Sequence, residues 1–243
     1  MKKNRVNLIK LIEVFDEHNN AYKGHTTPII GFIGEDLNAA IFADYLIRME
    51  KIKNVEILSC SVNTGQERVR GRELDRWIMA DNILYQTEIK SWCSFQIGGY
   101  KLPLETTEQN TKKLANEKWE KELYGQYNGI SDIESLGKGK VSKVLIKMKT
   151  PDGIKGRKTV MPLVIHWMPI SKKEITPFFS HPIKDLGLDK KFAKQIQKTF
   201  TAVNYFSCSL YIRELINKDG VKNLDLVLPN VDMRMNIIKK LMK

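Results

Sequence analysis

Leu74-Asp75-Arg76-Trp77-Ile78-Met79-Ala80-Asp81-Asn82-Ile83-Leu84-Tyr85-Gln86-Thr87-Glu88-Ile89-Lys90-Ser91-Trp92-Cys93 holds two apolar runs separated by the turn-prone pair Asp81-Asn82. Two such runs with a two-residue polar break predict a β-hairpin. Ala80 then pairs with Ile83, which sets Asp75 directly across from Glu88. Opposed Cβ atoms in such a ladder lie about 4.5–5.5 Å apart, and like charges there repel. A hard divalent cation with oxygen ligands would relieve that repulsion. Alternation with period two puts Lys90, Gln86, Trp77 and Trp92 on the face of the two acids, and Leu74, Ile78, Ile83, Tyr85 and Ile89 on the other. A slip of one residue in register would break the pairing.

Working outward, residues 4–18 carry apolar positions at helical spacing, and a second helix is marked by Gly34 followed by Glu35-Asp36, two acids suited to its N-terminus. Val55 to Val62 reads as a strand and Asn63 to Gly71 as a loop. Residues 106–124 show a charged helical pattern. Val141 to Met148, the turn Thr150-Pro151-Asp152-Gly153 and a return through Thr159 to Trp167 predict a second hairpin. Phe192 to Phe206 looks helical, Ser207 to Leu215 is strand or helix, and Val231 to Met242 suits a closing helix. The expected fold is α/β, a central mixed β-sheet flanked by helices.

The chain has 243 residues, 42% of them hydrophobic, with only 8 Pro and 15 Gly, which is enough apolar material for one packed domain. We expect a single domain, with a catalytic core over about 30–125 and a basic part over about 126–243. No apolar run approaches the roughly 20 residues of a membrane helix. The 3 cysteines, Cys60, Cys93 and Cys208, are too scattered for a disulfide framework or zinc site, so a reducing cytoplasm is the expected setting. His18, His25, His166 and His181 sit at no metal-ligand spacing and beside no evident nucleophile. No P-loop or dinucleotide fingerprint is present.

Net charge is +12, and it is unevenly placed: residues 1–120 hold 17 of the 40 basic and 17 of the 28 acidic side chains, leaving 23 against 11 for residues 121–243. All the excess positive charge lies in the second part. Lys143, Lys147, Lys149, Arg157 and Lys158, in a stretch whose one acid is Asp152, are candidate phosphate contacts. A solvated lysine-rich edge is the alternative. Lys190, Lys191, Lys194 and Lys198 on one side of a helix admit the same two readings.

A helix with Glu35, a strand, a loop, then Gly71-Arg72-Glu73-Leu74-Asp75, a short turn and Gln86-Thr87-Glu88-Ile89-Lys90 resembles the PD-(D/E)xK nuclease superfamily, over roughly residues 30–95. Leu74 stands where the motif's name has proline. The resemblance implies a restriction-endonuclease-like core, Mg²⁺ with Mn²⁺ as a substitute, and metal ligation by Asp75, Glu88 and the Ile89 carbonyl. It further implies that Lys90 serves the attacking water, that Glu35 matches the acid many members place on the preceding helix, and that Gln86 matches a polar residue of some branches. The implied activity is phosphodiester hydrolysis, with DNA as substrate and RNA as the other candidate, in a homodimer or a larger complex.

Other readings stand beside it. Asp75 could pair with Arg72 or Arg76, and Glu88 with Lys90, as ordinary surface ion pairs. Glu35 could simply stabilise its helix N-terminus, and the Trp residues could be packing. A non-catalytic nucleic-acid-binding or assembly protein on the same fold is the rival function, and a lysine-rich interaction domain is another.

Overall fold

The computed structural model describes residues 2–16, 26–59, 75–91, 143–145, 153–169, 176–186 and 190–242, with a few isolated positions between 102 and 151. Its centre is the hairpin. Strand β3 (Arg76–Ala80) and strand β4 (Ile83–Lys90) pair antiparallel in the expected register, Ala80 against Ile83 and Arg76 against Thr87. Asp81 turns the corner with φ 48°, a left-handed conformation that Asp tolerates better than most residues. Its amide donates to the Asn54 carbonyl at 3.0 Å, which ties the turn to the approach of strand β2 (Val55–Ser59).

Around the hairpin runs a six-stranded mixed sheet in the order β2-β3-β4-β5-β7-β6, where β5 is Thr159–His166, β6 Phe178–Pro182 and β7 Ala202–Ser207. Strand β5 lies parallel to β4 on one side and to β7 on the other, while β2, β3 and β6 pair antiparallel with their neighbours. Its near-continuous apolar run Val160 to Ile165 fits a strand covered on both faces.

One face carries helix α1 (Leu8–Asp16), helix α2 (Thr26–Arg48) and helix α4 (Cys208–Asn217), packed on Ile78, Tyr85, Ile89, Leu163, Ile165 and Phe206. The other is covered by the 3-10 turn Lys143–Leu145, by Ile183 and Leu186, and by helix α3 (Lys190–Gln197), whose Ile196 joins Val164, Val203 and Tyr205. Strand β1 (Asn4–Asn7) and strand β8 (Asn223–Leu226) form a small separate sheet, and helix α5 (Pro229–Leu241) follows β8.

Several sequence expectations are corrected. Residues 4–7 are strand, so the first helix starts only at Leu8. Helix α2 begins at Thr26, which places Gly34, Glu35 and Asp36 in its interior. The second hairpin is absent among the described residues: 143–145 make a 3-10 turn, and β5 pairs parallel with β4 along its length and with β7 over Leu163–His166. Phe192 to Phe206 splits into the end of α3 and β7. Of Ser207 to Leu215, Ser207 ends β7 and the rest is helix α4, whose Leu210, Tyr211, Ile212 and Leu215 bury against the first face. The loop 63–71, the pattern 106–124 apart from isolated positions, Trp92, Cys60 and Cys93 lie outside the described residues.

Candidate active site

Strand β3 stops its ladder at Arg76, one residue short of Asp75. The Asp75 side chain continues it: Oδ2 accepts the Ile89 amide N–H at 2.7 Å. Asp75 therefore sits against β4 between Glu88 and Lys90. In extended backbone the N–H and carbonyl of one residue point to the same lateral side, so the Ile89 carbonyl faces the Asp75 side as well.

Glu88 and Lys90 share a sheet face, as alternation requires, and the Lys90 ammonium lies 2.8 Å from Glu88 Oε1. Glu88 is buried at 3% exposure, whereas Lys90 is partly open. A buried carboxylate keeps its charge only beside a compensating group, and this ammonium is one. Gln86, on the same face, is fully buried and turned into the protein. Its Nε2 donates to the Val144 carbonyl and its Oε1 accepts from the Met148 amide at 3.5 Å, so it holds the segment crossing this face. Trp77 is buried beside Leu84, a packing role.

Glu35 arrives from α2. That helix passes the end of β4 so closely that a Cβ on Gly34 would lie 2.5 Å from Ser91 Oγ, and Asn38 Nδ2 donates to the same hydroxyl at 3.1 Å. Glu35 Oε2 is 3.5 Å from Arg76 Nη1. Its carboxyl pKa is raised, first by burial and next by the charge of Asp75, with Arg76 and Arg234 opposing. Negative charge is thus crowded between Glu35 and Asp75.

Asp36 does not serve its own helix. Its carboxylate accepts from the Asn230 amide at 2.6 Å, the Val231 amide at 3.1 Å and Asn230 Nδ2 at 2.9 Å, and so caps the N-terminus of α5. Arg76 Nη2 lies 2.9 Å from Asp36 Oδ1, and Arg76 Nη1 donates to the Asp75 carbonyl at 2.6 Å.

The structure therefore gathers Asp75, Glu88, Ile89, Lys90 and, through Arg76, Glu35. Of the basic residues, Arg157 and Lys158 lie elsewhere. Arg157, exposed, and Lys158 precede Thr159, which pairs with Ile83 at the opposite end of β4 from Glu88. Five residues of strand, about 17 Å, separate those ends. Lys158 Nζ donates to the Asp81 carbonyl at 2.6 Å and so fastens the hairpin turn. Lys147 and Lys149 are outside the described residues, and of Lys143 only the backbone is described.

Sequence reasoning passed over His166. In the parallel ladder its Cα partner is Lys90, so it flanks the site, buried at 2% exposure. Only the pairing of β5 with β4 reveals it, and no spacing along the chain carries that signal. Cys208 is buried in the first core, and burial pushes its thiol pKa well up, which leaves it inert.

Asp75, Glu88 and the Ile89 carbonyl offer hard oxygen donors, the type Mg²⁺ takes, while Glu35, held by Arg76 on the α2 side, adds negative charge near Asp75. Among the described residues no group of three or more His, Cys, Asp and Glu side chains is gathered closely enough to cage a metal. Mg²⁺ commonly uses one or two carboxylates with water and substrate phosphate, a demand that Asp75 and Glu88 would meet without a cage. Comparison with protein-family models, curated proteins and solved structures finds no match for this chain.

Proposed function

We propose that the chain is a Mg²⁺-dependent nuclease of the PD-(D/E)xK kind, with a restriction-endonuclease-like core and DNA as its substrate. The observation that carries this reading is the Asp75 carboxylate seated on the amide of Ile89, the residue between Glu88 and its 2.8 Å partner Lys90 in the strand. Element order supports it: a helix with Glu35, a strand, an acid at the start of the next strand, and acid-x-lysine on the one after.

In this reading Asp75, Glu88 and the Ile89 carbonyl hold the cation, with Glu35 beside them. When bound, the cation supplies Lewis-acid stabilisation of charge on the scissile phosphate. Lys90 donates hydrogen bonds to the attacking water or to the charge that develops on phosphorus. Glu88, 2.8 Å away, holds that ammonium in place. In-line attack would leave a 5′-phosphate and a 3′-hydroxyl.

A second reading, a non-catalytic nucleic-acid-binding protein on this fold, is favoured by the lack of a caged acid group among the described residues. Calorimetric titration with Mn²⁺ separates the two. The nuclease reading expects a site in the wild type that Asp75→Ala removes; a wild type that binds no Mn²⁺ supports the rival.

A further inference from the structure

Arg76 follows Asp75 and points to the other side of the sheet, the side of Ile78 and Ala80, against α2. Its side chain is 11% exposed, and its guanidinium meets three oxygens from two segments: Asp36 Oδ1 at 2.9 Å and Glu35 Oε2 at 3.5 Å on α2, and the Asp75 carbonyl at 2.6 Å ahead of β3. Asp36 is itself fixed by two backbone amides and the side-chain amide at the start of α5. A line of directional contacts thus runs from α5 through Asp36 and Arg76 to both Asp75 and Glu35.

Resting on the nuclease reading, we propose that Arg76 is a positioning residue: anchored by Asp36, it sets the Asp75 main chain and the Glu35 carboxylate where the cation needs them. It does not act on substrate, because it lies on the face away from Glu88 and Lys90. The planar fork is the essential feature. A guanidinium offers five donors in fixed geometry, whereas an ammonium is a point charge that cannot hold three separated acceptors in the same arrangement. The neighbouring Arg234, whose guanidinium stacks on the Phe32 ring at 5.2 Å and bonds the Phe32 carbonyl, adds positive charge near Glu35 without touching Asp75.

Arg76→Lys isolates geometry from charge, and it keeps a cation beside buried Asp36 where Arg76→Gln would leave that acid uncompensated. Loss of an outer-shell partner typically costs about 10- to 100-fold in metal affinity, and Arg76→Lys is expected in that range for Mn²⁺ by calorimetry. Its kcat should fall at fixed Mg²⁺ while KM for DNA stays unchanged, with the protein still folded by thermal melting. A folded Arg76→Lys that binds Mn²⁺ and turns over like wild type would reduce Arg76 to a structural ion pair and overturn the inference alone. A wild type that neither binds Mn²⁺ nor cleaves DNA would remove the nuclease reading and this inference together.

Discussion

Asp75 Oδ2 takes the Ile89 amide proton at 2.7 Å, just beyond the last β3–β4 backbone pair, Arg76 with Thr87. An asparagine could accept the same proton through Oδ1 while shedding the charge that crowds Glu35. Asp75→Asn should therefore melt at or slightly above the wild-type temperature without metal. Under the nuclease reading Mn²⁺ should stabilise the folded wild type by mass action, and the mutant should lose that gain. Asp75→Ala, which leaves the amide unanswered, should cost about 1 kcal/mol. Melts with and without Mn²⁺ check this, and an Asp75→Asn protein still stabilised by metal contradicts the assignment.

Glu35 gives a pH signature of known sign. Its folded pKa is raised, mainly by burial and then by Asp75, so folding favours its protonated form. The stability linked to that proton is present in full below the usual glutamate range near 4 and is lost as pH rises through the raised folded value. Glu35→Gln should then be more stable than wild type at pH 8, and the difference should close on acidification. Urea unfolding at several pH values measures it. A difference that does not change with pH rules out the raised pKa.

Gly34 tests the approach that brings Glu35 to the site. In an exposed helix, Gly→Ala would gain about 1 kcal/mol of propensity. Here the new Cβ would stand 2.5 Å from Ser91 Oγ and 2.6 Å from Ser91 Cβ. Overpacking of this kind costs about 1–3 kcal/mol, so Gly34→Ala should destabilise on balance. Adding Ser91→Gly should recover much of the loss, and a stabilised Gly34→Ala single mutant would show that α2 is free to move away.

The hairpin was legible because its signals are local: two apolar runs, a polar pair between them, and alternation that put Glu88 and Lys90 on one face. What could not be read depends on residues far apart in the chain. Gly34 has the look of a helix boundary until Ser91 is seen against it. Asp36 looks like an N-terminal acid of its own helix, yet it caps one 194 residues away. Arg157 and Lys158 are grouped with the substrate path by charge alone, and only the parallel pairing of Thr159 with Ile83 shows that they stand at the other end of β4 from Glu88. The same pairing brings His166 beside Lys90.

Cleavage of plasmid DNA by purified wild type and Lys90→Ala, each with Mg²⁺ and with EDTA, tests the central claim most directly. Lys90 lies 2.8 Å from the buried Glu88, so its removal should lower stability by roughly 1–3 kcal/mol, and a melt must first show the mutant folded. The account predicts Mg²⁺-dependent nicking or linearisation by wild type, none in EDTA, and none by folded Lys90→Ala. Linear duplex, single-stranded DNA and RNA run alongside so that a different preferred polynucleotide is not mistaken for inactivity. No cleavage of any of the four by wild type, or equal cleavage by wild type and Lys90→Ala, would contradict it.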